Sequence, residues 1–349
     1  MRRAVLTSCV VAILAALVAP RPCAAEDLYP KHIDARTQAA IKRGLDWLAH
    51  NQSPDGNWSG SQDGTTYPTS MAALAGMAFL SGGNTPSRGP YADNIKRDEL
   101  WLMGMSRPNG VITDPAESNG RPMHGHGFAL LFLASVYGME TDPRTRDTLK
   151  NVITRAIDLT AKGQSSLGGW TYVPGSGDEG SVTVTQMQGL RAASNAGFYV
   201  PKNTVERAVK YLEICKTPEN GIKYSAASAP QPRLPISAAA VATLYNAGEY
   251  DSPLAENCLK YVWDEFKRSQ NSFSKGGGHD FYAHLYAAQA FYQAGDKYWD
   301  DYFPKVRDQL LAMQQPDGSF PGEIGPVYTT SIALIILQLP YKLVPIYQR

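Results

Sequence analysis

Arg43-Gly44-Leu45-Asp46-Trp47-Leu48-Ala49-His50-Asn51-Gln52-Ser53-Pro54-Asp55-Gly56-Asn57-Trp58 decides how the chain folds. Ala40, Ile41, Leu45 and Leu48 recur at the spacing of one helix face, so the stretch opens on an amphipathic helix. Pro54-Asp55-Gly56 ends that helix in a reversal, and Trp58 lies just beyond it. The same ending returns at Gln164-Ser165-Ser166-Leu167-Gly168-Gly169-Trp170 and at Gln314-Gln315-Pro316-Asp317-Gly318-Ser319-Phe320. In all three, Gln precedes Gly by four and an aromatic follows that Gly by two. Repetition of this kind marks stacked supersecondary units.

Working outward, each such turn separates an amphipathic helix from an apolar one. The first pair is Thr37 to Asn51 and Thr69 to Leu80, and the second helix has no polar face, so it belongs inside. The pattern recurs as 93–105 with 125–137, 144–162 with 182–196, 203–215 with 235–247, 253–269 with 280–294, and 299–313 with 328–339. The turns between them are Arg107-Pro108-Asn109-Gly110, Gly168-Gly169-Trp170, Pro218-Glu219-Asn220-Gly221, Gly276-Gly277-Gly278 and Pro316-Asp317-Gly318. Glycine there supplies the positive φ of a tight reversal. Six apolar helices bury their surface when packed side by side as an inner ring. The apolar run Ile332 to Leu339 at the end of the sixth unit favours closure of that ring over an open solenoid, whose terminal repeats carry polar caps.

Residues 1–25 read as a signal peptide: Arg2 and Arg3, an apolar run from Ala4 to Ala19, and small residues Cys23-Ala24-Ala25 before Glu26. That run is too short and Ala-rich for a membrane span, so the expectation is an exported protein, periplasmic or extracellular, that is not a transmembrane protein. Residues 26–349 are then one domain. Removing the leader's three arginines takes the formal charge from +1 to −2. With no Lys/Arg block, a nucleic-acid partner is excluded. Of the four cysteines, Cys215 and Cys258 remain, both continuing apolar stripes as small buried residues do; export leaves a disulfide between them open.

The Gln-x-x-x-Gly-x-Trp ending after Arg-Gly-x-x-Trp-Leu resembles the repeat of squalene and terpenoid cyclases and of protein prenyltransferase β subunits, the prenyltransferase and squalene oxidase repeat group. Gln52/Gly56/Trp58 and Gln164/Gly168/Trp170 match fully, Gln314/Gly318/Phe320 with Phe for Trp. The resemblance implies an all-α fold, an (α/α)6 toroid with apolar helices inside, amphipathic helices outside, and a central cavity opening where the inner helices begin. That fold hosts many chemistries.

The catalytic signatures of the group are missing. The stretch resembling the cyclase acid motif, Gly180 to Gln186, has no carboxylate, and Asp178 and Glu179 before it read as solvated in a Gly-rich loop. Asp280-Phe281-Tyr282-Ala283-His284 resembles the prenyltransferase zinc segment but carries Ala283 in the ligand position, and one residue turns a helix by about 100°. A metal on His279, Asp280 and His284 is the alternative to His124 and His126 as helix-start caps and His284 as a core residue. The reading here is no metal and no cofactor. All six inner helices run in one direction, so their N-termini share a rim and direct partial positive charge at it. The rim candidates are Tyr67, His124, His126, Gln186, Asp280, Tyr282, His284 and Tyr328. The expected occupant of the central cavity is lipid-like, a glycan or a protein segment, with its polar group at the rim. The rival class is an enzyme in the same cavity, a polysaccharide lyase or a divergent terpenoid cyclase or transferase.

Overall fold

The computed structural model describes residues 29–348 apart from 60, 63, 64, 116, 118, 119, 271, 274–278 and 323. The expected leader and the Gly276-Gly277-Gly278 turn lie outside the described residues. Twelve α-helices are described, in six hairpins: α1 (Ala35–His50) with α2 (Pro68–Ser81), α3 (Ala92–Gly104) with α4 (Pro122–Tyr137), α5 (Pro143–Lys162) with α6 (Gly180–Asn195), α7 (Lys202–Cys215) with α8 (Leu234–Asn246), α9 (Pro253–Arg268) with α10 (Asp280–Ala294), and α11 (Asp296–Met313) with α12 (Pro326–Gln338). A two-residue antiparallel pair, Ser61–Gln62 with Thr65–Thr66, decorates the first connection.

Side-chain caps and first-turn prolines both start helices in either layer. Three outer helices are capped by side chains: on α1 Asp34 accepts from the Thr37 amide at 2.7 Å, on α5 Asp142 from the Thr145 amide at 2.7 Å, and on α9 Ser252 from the Ala255 amide at 3.3 Å. Four inner helices, α2, α4, α8 and α12, carry proline in the first turn, where the missing N–H has no intrahelical partner to lose. Along α12 every residue from Val327 to Gln338 is buried, whereas α1 buries one stripe that includes Ala40, Ile41, Leu45 and Leu48.

The repeated ending is a lock between neighbouring hairpins. Gln52 Nε2 donates to the Gly56 carbonyl of its own turn (2.7 Å) and to the Asn94 carbonyl on the next outer helix (2.9 Å). Gln164 does the same with Gly168 and Thr204, and Gln314 with Gly318 and Ala40. The turn glycines take φ of +106°, +94°, +99° and +99° at Gly56, Gly110, Gly168 and Gly318. A Cβ on any of them would collide with a backbone carbonyl of the next outer helix: Arg97, Arg155, Arg207 and Arg43 respectively. Since the last of these joins the sixth hairpin to the first, the ring closes through the same contact that joins its interior units. In the fourth unit the left-handed position falls on Asn220 (φ +67°), one residue before the glycine that the sequence suggests; Asn tolerates that region where Gly is absent.

The aromatic two residues past each glycine seals the joint. Trp58 Nε1 donates to the Leu48 carbonyl at 2.8 Å and Trp170 Nε1 to the Thr160 carbonyl at 2.7 Å, ten residues back in both cases. Both indoles and Phe320 are fully buried. At the far end, residues 339–347 run from α12 past α2, and the turn Pro345–Tyr347 packs against α6 with Tyr347 buried. The two cysteines are buried free thiols, and burial pushes Cys258 up to about 12. No helix among the described residues is long and apolar enough to cross a membrane.

Candidate functional site: a cup at the inner-helix N-termini

A cavity of about 560 Å³ opens where the inner helices begin, and all six contribute to it. Ser70 and Met71 come from α2, His124 and Phe128 from α4, Ser181 from α6, Pro235 and Ile236 from α8, Tyr282 from α10 and Tyr328 from α12. Tyr67, Tyr172, Tyr224 and Ile324 enter from the turns, and Arg121, Arg233 and His279 flank helix starts. Among the described residues no carboxylate lines it.

The wall centred on α6 is held by a chain of ring contacts and hydrogen bonds. The Arg121 guanidinium sits over the Tyr172 ring, 4.9 Å from its centroid, and that of Arg233 over Tyr224 at 5.2 Å. The two phenols share a hydrogen bond of 2.9 Å. Backbone bonds fix both rings: the Tyr172 carbonyl accepts from the Met123 amide at the start of α4 (3.1 Å), and the Tyr224 carbonyl from the Gly180 amide at the start of α6 (2.9 Å).

Beneath the cup the ring is filled. Tyr282 donates to the Ser181 carbonyl at 3.1 Å, and Gln188 donates to Gln289 at 2.6 Å, so α10 and α6 are tied together past α8. Tyr286 packs edge-on against Tyr282, and both phenols are held far above their ordinary pKa by burial. His124 faces Tyr282 with ring centroids 6.4 Å apart, and its buried Nε2 has no hydrogen-bond partner. Desolvation lowers its pKa to about 4, so the ring is neutral at pH 7.

The eight rim candidates divide. Tyr67, His124, Tyr282 and Tyr328 line the cup, whereas His126, Gln186, Asp280 and His284 are not among its lining residues. His126 Nδ1 accepts the Ile112 amide at 3.1 Å, and Nε2 contacts Thr160 Oγ1 at 3.1 Å. That is the post filled elsewhere by a hydroxyl: Thr183 receives the Trp170 amide, Ser237 that of Ile222 and Thr330 that of Phe320. Gln186 donates to the Met123 carbonyl at 2.6 Å. His284 Nδ1 bonds the Tyr302 hydroxyl at 2.8 Å, with Phe273 stacked 3.9 Å from its ring. No three metal-ligating side chains gather among the described residues.

Glu179 is corrected. It is buried rather than solvated, because it caps α6, accepting from the Val182 amide at 2.6 Å and from the amide and hydroxyl of Ser181. Burial still raises its pKa, and Tyr224 is among its hydrogen-bonding neighbours. Glu117 lies behind the α2 side, bonded by Thr113 and pushed up to about 7 by burial. The sequence reading missed Arg121, Arg233, Tyr172 and Tyr224. A signal existed: each Tyr lies four residues after its turn's left-handed residue, Gly168 or Asn220, and each Arg stands just before a proline-started inner helix.

Ring closure and a rim cavity define the chain as an α/α toroid. Solved structures agree on the fold. The type II terpene cyclase MstE from Scytonema superposes with a TM-score of 0.62 over 88% of this chain and 99% of its own, at 13% identity. Cellobiose 2-epimerase from Spirochaeta thermophila gives 0.63 over 88% and 97%, also at 13% identity. An inactive variant of an α-1,6-mannanase of a Salegentibacter species, in complex with α-1,6-mannotriose, gives 0.60 over 88% and 99%, at 10%. At these identities the likeness is one of fold alone. No family model matches the sequence, and no curated protein does.

Proposed function

We propose that this is an exported toroid of the prenyltransferase and squalene oxidase repeat group that binds a small ligand in the rim cup. The observation that carries the reading is the cup itself: about 560 Å³, built by all six inner helices, with polar groups converging over an apolar wall of Met71, Phe128 and Ile236. Enclosures of this size and make-up are where small molecules bind. The crossing bonds Tyr282–Ser181 and Gln188–Gln289 close the space below. They favour a compact amphiphile, polar part at the rim, over a long lipid chain threaded down the axis or an extended protein segment. That a cyclase structure of the same fold holds geranylgeranyl dihydroxybenzoate, and a mannanase holds mannotriose, supports both a lipid-like and a glycan occupant.

A second reading, an enzyme working in the same cup, has one observation behind it. Glu179 is a buried acid of raised proton affinity, linked through Tyr224 to the cavity wall. A polysaccharide lyase and a divergent terpenoid cyclase or transferase are the forms this would take. A thermal-shift screen of lipid-like and sugar ligands tests the binding reading, on wild type and on cup-filling Ser181→Trp and Ile324→Trp. A ligand that stabilises wild type and neither filled variant supports it. A ligand that stabilises all three equally places binding elsewhere.

A further inference from the structure

We infer that the cup is polarised across its mouth and selects an anionic amphiphile, whose anion lies on the arc centred on α6 and whose apolar part lies against the opposite arc of α12 and α2. This rests on the cup being the binding site. The α6 arc holds Arg121 and Arg233, one at the start of α4 and one at the start of α8. The facing arc, Tyr67, Met71, Ile324 and Tyr328, carries no charge.

Both arginines are exposed at the mouth, and three features fit the arc to an anion. Each guanidinium is seated on a tyrosine ring, and the rings are bonded to each other, so the two cations are held in a common frame. A guanidinium over an aromatic face keeps its in-plane N–H donors for a carboxylate or phosphate. No described carboxylate lines the cavity to compete for them. Glu179, a buried acid beside Tyr224, engages the α6 amides and Ser181 instead.

Two fluorescent probes that differ by one sulfonate test this: 8-anilinonaphthalene-1-sulfonate and neutral N-phenyl-1-naphthylamine. Each is titrated into wild type, Arg121→Gln, Arg233→Gln, the double variant and Ser181→Trp, with melting curves confirming that every variant is folded. The inference expects wild type to prefer the sulfonate by at least ten-fold. Each arginine substitution should cut sulfonate affinity by about ten-fold, the scale of one charge-assisted hydrogen bond, and leave the neutral probe unchanged. Decanoate or decyl phosphate should displace the sulfonate probe, and decanol should not. Equal affinity for both probes in wild type and in the arginine variants, or displacement by decanol as readily as by the anions, overturns the inference while the cup stands. If neither probe binds wild type, or if Ser181→Trp leaves both bound, the cup reading itself fails.

Discussion

Replacing Gly318 by alanine measures the seam that closes the ring. Gly318 has φ of +99°, and a Cβ there would strike the Arg43 carbonyl and crowd its side chain. An L-residue forced into the left-handed region costs about 1–2 kcal/mol. Forcing an atom into a packed joint adds about 1–3 kcal/mol, so Gly318→Ala should destabilise by roughly 2–5 kcal/mol in total. Gly197 separates the two contributions, having φ of +87° with nothing within 4 Å of its would-be Cβ, so Gly197→Ala should cost only the first. Urea unfolding monitored by circular dichroism gives both values from the midpoints, provided the slopes agree. Gly168→Ala, an interior joint with the same geometry against Arg207, should match Gly318→Ala. If Gly318→Ala costs no more than Gly197→Ala while Gly168→Ala costs the full amount, the first and last hairpins do not meet in solution and the ring is open.

Trp170→Ala should cost about 3–5 kcal/mol, and Trp170→Phe only about 1–2 kcal/mol for the bond to the Thr160 carbonyl, as Phe320 in the equivalent place suggests; chemical denaturation checks both. Asp98 is wholly buried with both carboxyl oxygens unpartnered, and desolvation raises its pKa well above normal. The stability tied to its proton is therefore complete below the unfolded value of about 3.9 and is lost as pH rises through the folded value. Asp98→Asn should accordingly flatten the decline in Tm on the alkaline side; an unchanged profile would remove Asp98 from the account. His126 and His284 are lowered by burial to about 4 and about 3, so their contribution is present above about 6.5 and is lost as pH falls towards those values. Melting curves from pH 7 to pH 4 should show that acid limb, shallower in His284→Gln; equal slopes would refute the assignment.

The fold was legible because one joint is written into the chain several times. Gln52, Gln164 and Gln314 make the same two bonds, and the helices expected on either side of each turn begin and end within about three residues of those observed. The site was legible only in part, for a physical reason. An inner helix is buried on nearly every face, so no hydrophobic stripe reveals which residues look inward. Two positions along α4 separate His124, which lines the cup, from His126, which bonds to Ile112 and Thr160 in the outer layer. Likewise Tyr282 faces the cup and His284 faces Tyr302. Arg121, Tyr172, Tyr224 and Arg233 lie in connections, where helical periodicity does not apply and only the phase of the repeat could have exposed them. Glu179 was misread because a Gly-rich loop implies solvent, whereas the amides at the start of α6 need an acceptor.

The central claim is that the cup at the inner-helix N-termini is where this toroid holds its ligand. Diffraction from crystals soaked with 8-anilinonaphthalene-1-sulfonate tests it most directly. The account predicts difference density inside the cup, with the sulfonate between Arg121 and Arg233 and the naphthyl group against Met71 and Tyr328. Ordered probe outside the cup, with the cup holding only water, would contradict it.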